Sequence, residues 1–99
     1  MNARIRRSAA ADADLADVWL FAAQDGPERA DQLIDRLEQA IKRLVDYPRI
    51  GHRRDDVAAD LRLLVQDRYL VIYRYSRAEN VVTVERVVHG SRDLSRLLI

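Results

Sequence analysis

Four basic side chains in the second half of this chain are the residues best suited to chemistry. Arg62, Arg86 and Arg92 carry guanidinium groups, and His89 carries an imidazole that exchanges protons near neutral pH. Guanidinium groups bind phosphate or carboxylate through paired hydrogen bonds. All seven Lys or Arg residues between positions 61 and 99 are arginine. This half is therefore a candidate surface for RNA, DNA or an acidic protein, and the alternative is a solvated sheet face.

His89 and Arg92 each have a structural interpretation beside the chemical one. His89 could act as a general acid or base, or it could end a strand and hydrogen-bond the chain as it turns at Gly90, through Asp93. Arg92 could pair with Asp93 and anchor the tail, or it could belong to a surface that faces a target.

Arg62 and Arg86 leave the same choice open. Each could form an ion pair with Glu85, or each could bind the carboxylates of a partner protein. For Arg62 and Arg86, the sequence favours neither the structural role nor the binding role.

The composition argues against several other kinds of site and location. Cysteine is absent, so disulfide and thiolate chemistry are excluded. His52 and His89 are the two histidines, and without a third ligand of this kind we expect no metal and no cofactor. No apolar run approaches the roughly 18 residues that span a membrane, and no apolar segment follows the basic N-terminus as in a secretory signal. We expect a soluble cytoplasmic protein without membrane partners.

Hydrophobic periodicity predicts the elements that position these residues. A short strand over Ala3–Arg7 leads to Ser8, a candidate N-cap for a first helix. Apolar residues at i, i+3, i+4 and i+7 give this helix one buried face: Leu15, Val18, Trp19 and Ala22. Asp25-Gly26-Pro27 ends it and starts a second helix, because proline suits the first helical position.

The second helix has the clearest pattern in the sequence. Its apolar stripe consists of Ala30, Leu33, Ile34, Leu37, Ile41, Leu44 and Val45. Pro48 ends the helix, since proline disfavours helical geometry at the residue before it. Two amphipathic helices joined by a tight turn predict an antiparallel helical hairpin.

Strand-like runs fill the rest of the chain after a polar loop over residues 48–56. They are Leu61–Val65, Tyr69–Tyr75 and Val81–Val88, the last two joined as a hairpin by a five-residue loop. We therefore predict one α+β domain over residues 1–99, with the order β-α-α-β-β-β. The helical hairpin would cover one face of a twisted, mainly antiparallel sheet. The first strand would pair inside the sheet with a later strand, in an order that the sequence leaves open.

The last strand breaks its own alternation. Val82, Val84 and Val88 share a face with Arg86, while Val87 lies opposite. Either both faces are partly covered, or a β-bulge changes the direction of the residues near Arg86.

This order of elements resembles the ParE/RelE superfamily of bacterial toxins, and the resemblance covers nearly the whole chain. The closing run of residues 86–93 together with Pro48-Arg49-Ile50-Gly51 is similar to the ParE side of that superfamily. The segments that carry the resemblance are Ser8, Ala11, Asp14 and Leu15; residues 46–51; Leu61-Arg62; Tyr69–Arg74; and residues 85–93.

The resemblance implies a toxin encoded beside a ParD-like antitoxin that neutralises it in a hetero-oligomer. ParE members poison DNA gyrase, whereas RelE members cut messenger RNA on the ribosome. A third alternative is a non-toxic relative that binds its antitoxin and helps to regulate the operon. Antitoxins of this class fold a flexible segment onto the toxin, often as a helix in an apolar groove. We expect no sequence-specific DNA binding by this chain alone.

A ribonuclease would need groups that deprotonate a 2′-hydroxyl, neutralise the phosphorane and protonate the leaving oxygen. The chain offers Arg62, Tyr75, Arg86, His89 and Arg92 for these roles. It departs from the RNA-cutting relatives, because Lys42 is its single lysine and Leu70-Val71-Ile72 fills a strand where an arginine is often found. The sequence therefore favours an inhibitor over an enzyme. If the chain is a ribonuclease, Arg62, Arg86 and His89 carry the chemistry.

Contacts with partners are expected at two surfaces. Arg62, Arg86, His89 and Arg92 are the candidates for binding the target. The helical hairpin provides the candidates for binding the antitoxin, which are Trp19, Leu20, Phe21, Leu33 and Leu37.

Overall fold

Two helices and five strands form the part of the chain that the computed structural model describes, residues 2–94. In chain order they are β1 (Arg4–Arg7), α1 (Ala9–Ala22), a 3-10 turn (Ala23–Asp25), α2 (Pro27–Arg43), β2 (His52–Arg53), β3 (Leu61–Gln66), β4 (Tyr69–Ser76) and β5 (Val81–His89). Over residues 2–94, no helix is both long and apolar enough to cross a lipid bilayer.

The sheet is mixed, with the strand order β1-β5-β4-β3-β2. β1 runs parallel to β5, and every other neighbouring pair is antiparallel. The predicted α+β class and the mainly antiparallel sheet are confirmed. The first strand pairs with a later strand, β5, as predicted, but it lies at an edge of the sheet instead of inside it. The predicted loop also contains β2, which is too short for periodicity to reveal.

The helices begin where the sequence predicts. The hydroxyl of Ser8 accepts a hydrogen bond from the backbone N–H of Ala11 at 2.9 Å, which caps α1. Pro27 opens α2 directly after Gly26, whose φ of 125° suits a residue without a Cβ. These two local signals set the hairpin. Leu15 and Val18 of the first predicted stripe are buried in the core, whereas Trp19 and Ala22 are only half-buried.

One core lies between the hairpin and the sheet, and a smaller apolar cluster lies on the other sheet face. The larger core joins the helices to alternate residues of β4 and β5: Leu15, Val18, Leu37, Ile41, Leu44, Val71, Tyr73, Val82, Val84 and Val87. The smaller cluster consists of Leu61, Leu63, Ile72 and Val88, partly covered by Val57, Ala58, Leu70 and Leu94. The sheet is therefore apolar on both faces.

A β-bulge interrupts β5, so both predicted explanations of its broken alternation hold. Ile72 of β4 pairs with Arg86, and the next residue, Tyr73, pairs with Val84. Glu85 is the extra residue. It shifts the pattern so that Val84 and Val87 both reach the helical core, which strict alternation would forbid.

The turn after α2 is fixed from inside by Tyr73, which is fully buried. Its hydroxyl donates to the carbonyl oxygen of Pro48 at 2.8 Å and accepts from the N–H of Gly51 at 2.9 Å. Burial raises the pKa of Tyr73, so the phenol stays neutral and serves as donor and acceptor together. Arg62 adds two hydrogen bonds of 2.9 Å to the carbonyl oxygens of Arg49 and Gly51.

Gly51 has no room for a side chain. A Cβ there would lie 2.7 Å from the ring and the hydroxyl of Tyr73 and 2.9 Å from the carbonyl oxygen of Leu63. We expect Gly51→Ala to lower the free energy of unfolding by about 1–3 kcal/mol, as overpacking does elsewhere. Urea denaturation followed by circular dichroism measures the change.

Gly90→Ala is the matched control. The nearest atom to a Cβ there is the carbonyl oxygen of Arg68 at 3.4 Å, an ordinary contact. We expect its stability to stay within about 0.5 kcal/mol of the parent. Equal destabilisation at both positions would show that the close packing of Tyr73 on Gly51 is not the cause.

Candidate functional site

The start of α1 is tied to the bulge in β5. The hydroxyl of Ser8 donates to the carbonyl oxygen of Glu85 at 2.6 Å, in addition to capping the helix. Further along the helix, the carboxylate of Asp14 accepts from the backbone N–H of Val87 at 2.9 Å. β1 pairs with β5 only as far as Val84, so these two side chains supply partners to the backbone of β5 beyond the end of β1.

Asp14 also forms a two-pronged ion pair with Arg86. Nε of Arg86 lies 2.7 Å from Oδ2 of Asp14, and Nη2 lies 2.9 Å from Oδ1. The hydrogen bond to Asp14 raises the pKa of Arg86, which stays charged. Of the alternatives that the sequence left open for Arg86, the structure shows a structural ion pair, but with Asp14 and not with Glu85, whose carboxylate lies 3.4 Å from Arg74. Sequence reasoning missed Asp14 as the partner of Arg86.

A cleft of about 260 Å³ opens beside this ion pair, between α1 and the end of the β4–β5 hairpin. We call it the His89 cleft. Its walls include Phe21, Tyr69, Arg86, His89 and Arg92. The structure therefore brings together three of the four predicted target-binding residues, and it adds Phe21 and Tyr69. Tyr69 reaches the cleft because the bulge moves it opposite His89 instead of Val88.

His89 is exposed and oriented by the turn that follows it. Its Nδ1 accepts from the backbone N–H of Ser91 at 3.2 Å and lies 2.8 Å from the hydroxyl of Ser91. Since a backbone N–H only donates, the neutral ring carries its proton on Nε2. Tyr69 meets the ring edge to face, with centroids 5.6 Å apart. The predicted hydrogen bond between His89 and the turn at Gly90 is confirmed, and Ser91 provides it.

Arg62 lies at the other end of the sheet. It lines a separate cleft with Tyr75, and its guanidinium is bound to the two carbonyl oxygens of the turn after α2. Tyr69 and Tyr75 mark the two ends of β4, about 20 Å apart along the strand. The three residues predicted to carry ribonuclease chemistry are therefore not assembled in one place.

The helical hairpin exposes part of the predicted antitoxin surface. Leu20 is 62% exposed and Phe21 is 67% exposed. Trp19 is half-buried, and its indole N–H donates to Asp31 of α2 at 2.8 Å. Leu33 is half-buried against the core. Leu37 is fully buried, so its assignment as a contact residue is wrong: the centre of the stripe on α2 faces the sheet.

Solved structures share this fold. A chain of a chromosomal ParDE toxin–antitoxin system from P. aeruginosa superposes with a TM-score of 0.76 at 18% identity, covering 88% of this chain and 95% of that one. A chain of the toxin–antitoxin complex RelBE2 from Mycobacterium tuberculosis gives a TM-score of 0.63 at 23% identity, covering 90% and 99%. The fold is that of the RelE/ParE-like toxins.

Sequence comparison identifies the family. The model of the ParE toxin of type II toxin–antitoxin systems matches residues 5–94. Toxin ParE1 of Mycobacterium tuberculosis is 32% identical over 99 residues, which cover 99% of this chain and all of that protein. Toxin ParE1 of Caulobacter vibrioides is 29% identical over 87% of this chain and 88% of its own length. This chain belongs to the ParE toxin family of type II toxin–antitoxin systems.

Asp14→Ala tests the role of the ion pair in holding α1 on the sheet. The change leaves the half-buried Arg86 and the N–H of Val87 without their acceptor, so we expect the free energy of unfolding to fall by about 2–3 kcal/mol. Thermal and urea unfolding measure this decrease. Asp56→Ala breaks an exposed ion pair with Arg54 and should leave stability close to that of the parent. Similar decreases in both variants would contradict the structural role of Asp14.

Proposed function

We propose that this toxin inhibits DNA gyrase in the cytoplasm and is held inactive by a ParD-like antitoxin encoded beside it. The observation that carries the proposal is the ParE family match over residues 5–94, together with the full-length likeness to Toxin ParE1. The arrangement of the arginines supports inhibition over catalysis. Arg86 is bound to Asp14, Arg62 is bound to backbone carbonyls, and these two arginines lie in different clefts.

The His89 cleft is the surface that we propose for the target. It presents the exposed side chains of Arg92 and His89 beside the aromatic rings of Tyr69 and Phe21. Arginine and tyrosine are among the residue types that most often dominate binding energy at protein interfaces. Exposure of His89 and Arg92 leaves both side chains accessible to another protein.

The position of Phe21 explains how the proposed antitoxin would inactivate the toxin. This residue belongs to the exposed pair Leu20 and Phe21 on α1, and it also lines the His89 cleft. An antitoxin segment that buries the pair would therefore reach the rim of the proposed target surface. In this arrangement the antitoxin excludes the target sterically, without any change in the fold of the toxin.

Ribosome-dependent cleavage of messenger RNA is the second candidate function. The observation in its favour is the exposed His89, whose Nε2 carries the proton of the neutral ring beside Tyr69 and Arg92. Primer extension on transcripts after induction distinguishes the two candidates. New cleavage sites within codons would support the endonuclease, and intact transcripts during growth arrest would support the gyrase inhibitor. No growth arrest at all would support a non-toxic relative.

Purified toxin should inhibit DNA supercoiling by gyrase and trap the cleaved DNA complex. We expect the double variant His89→Ala/Arg92→Ala to need about tenfold more protein for half inhibition, because it removes an exposed guanidinium and an exposed imidazole from the cleft. The control Arg29→Ala removes an exposed cation from α2 and should inhibit like the parent. Absence of inhibition and of trapped DNA by the parent toxin would remove gyrase as the target.

The double variant Leu20→Ala/Phe21→Ala should bind the antitoxin encoded by the neighbouring gene more weakly. We expect binding free energy to weaken by about 2 kcal/mol or more, since large apolar side chains at the centre of an interface dominate its energy. Calorimetric titration measures it. Val65→Ala on β3 is the matched control, because Val65 is as exposed as Leu20. Unchanged affinity of the double variant would show that the antitoxin binds elsewhere.

A further inference from the structure

A second cationic surface lies at the end of the sheet opposite the His89 cleft. Its deeper part is a cleft of about 320 Å³ whose lining includes Arg49, Arg62, Tyr75 and Arg77. A shallow apolar hollow adjoins it, lined by Tyr47, Pro48 and Ile50, and the two share Arg49 and Tyr75. We call Tyr47, Arg49, Arg62, Tyr75 and Arg77 the arginine–tyrosine patch.

The charges of the lining are not equally available. Arg53 also borders the cleft, but it is bound to Asp55 at 3.0 Å and lies 3.5 Å from Asp60, which neutralise it. Arg62 is held by two carbonyl oxygens, which fix its position and carry no net charge. Arg77 is exposed at the β4–β5 turn. The patch therefore offers guanidinium charge at defined positions to an anionic ligand.

The rings of Tyr47 and Tyr75 lie beside these guanidinium groups. The guanidinium of Arg49 lies 5.7 Å from the centre of the Tyr75 ring, a cation–π contact. The hydroxyl of Tyr75 donates to Oδ1 of Asn80 at 2.8 Å, which fixes the ring. Tyr47 is 60% exposed beside them. An acidic peptide would use the charges alone, whereas a nucleic-acid strand uses both, because phosphates bind guanidinium and bases stack on tyrosine rings and guanidinium planes.

We propose that the arginine–tyrosine patch binds single-stranded nucleic acid without sequence preference. Arg49, Arg62 and Arg77 bind phosphodiester oxygens, and Tyr47 stacks on a base. The site lies about 20 Å from the His89 cleft, so it leaves that surface open to a target protein. The binding does not depend on gyrase as the target, since it is measured with the toxin alone.

Fluorescence anisotropy of a labelled single strand of about ten nucleotides, titrated with the full-length toxin, tests the proposal. DNA and RNA strands form the two arms, because both carry the phosphodiester. We expect Arg77→Glu to weaken binding about tenfold and to flatten the dependence of log K on log salt by about 0.7 for each phosphate that the variant no longer neutralises. Tyr47→Ala should weaken binding about tenfold, and Tyr47→Phe, which keeps the ring, should restore it.

Arg29→Glu is the matched control for charge, since it reverses an exposed arginine on α2 outside the patch. It should bind like the parent. Equal weakening by Arg29→Glu and Arg77→Glu would reduce the binding to non-specific attraction and overturn the proposal. Absence of binding to both the DNA and the RNA strand would also overturn the proposal. The same holds if a polyglutamate peptide binds in a way that depends on Arg77 and the oligonucleotides do not bind.

Discussion

The carboxylate of Asp14 joins the helical layer to the sheet at the point where the sheet is irregular. It accepts a backbone hydrogen bond from Val87 and two side-chain hydrogen bonds from Arg86. Ser8, at the start of the same helix, donates to the carbonyl of Glu85. Beyond the end of β1, the backbone groups of Glu85 and Val87 would lose these partners without the two side chains, at a cost of about 1–3 kcal/mol for each.

The bulge held in this way determines what the far end of the sheet presents. Its extra residue allows Val84 and Val87 to enter the same core, and it brings Tyr69 opposite His89. The edge-to-face contact of these two rings and the hydrogen bonds from Ser91 then orient the imidazole. The geometry of the His89 cleft is thus a consequence of one unpaired residue, Glu85, more than of any residue in the cleft itself.

The other end of β4 is organised by a second buried group, the phenol of Tyr73. It fixes the turn between Pro48 and Gly51, and Arg62 fixes the same turn from outside. The chain therefore uses arginine in two ways. Arg62 and Arg86 each hold another part of the chain in place through hydrogen bonds, whereas Arg49, Arg77 and Arg92 are exposed at the surface. The arginine count of the sequence alone does not separate these two roles.

Local patterns predicted the elements well. The spacing of Leu15 and Val18, the cap at Ser8 and the proline at position 27 depend on residues within one or two helical turns, so the sequence carries them directly. The same patterns, with the run from residue 86 to 93, indicated the family. They also exposed the broken alternation of β5, although they left its cause open between a bulge and two covered faces.

Only the tertiary structure decided which of these side chains meet. Asp14 and Arg86 are 72 residues apart, and no local period relates them. Strand order places β1 at the edge of the sheet as a parallel strand. Strand register places Arg62 and His89 at opposite ends of β4, in different clefts. Leu37 also depended on the tertiary structure. An apolar stripe shows that one face of a helix is buried, but the packing against the sheet determines which residues of the stripe are fully buried, as Leu37 is.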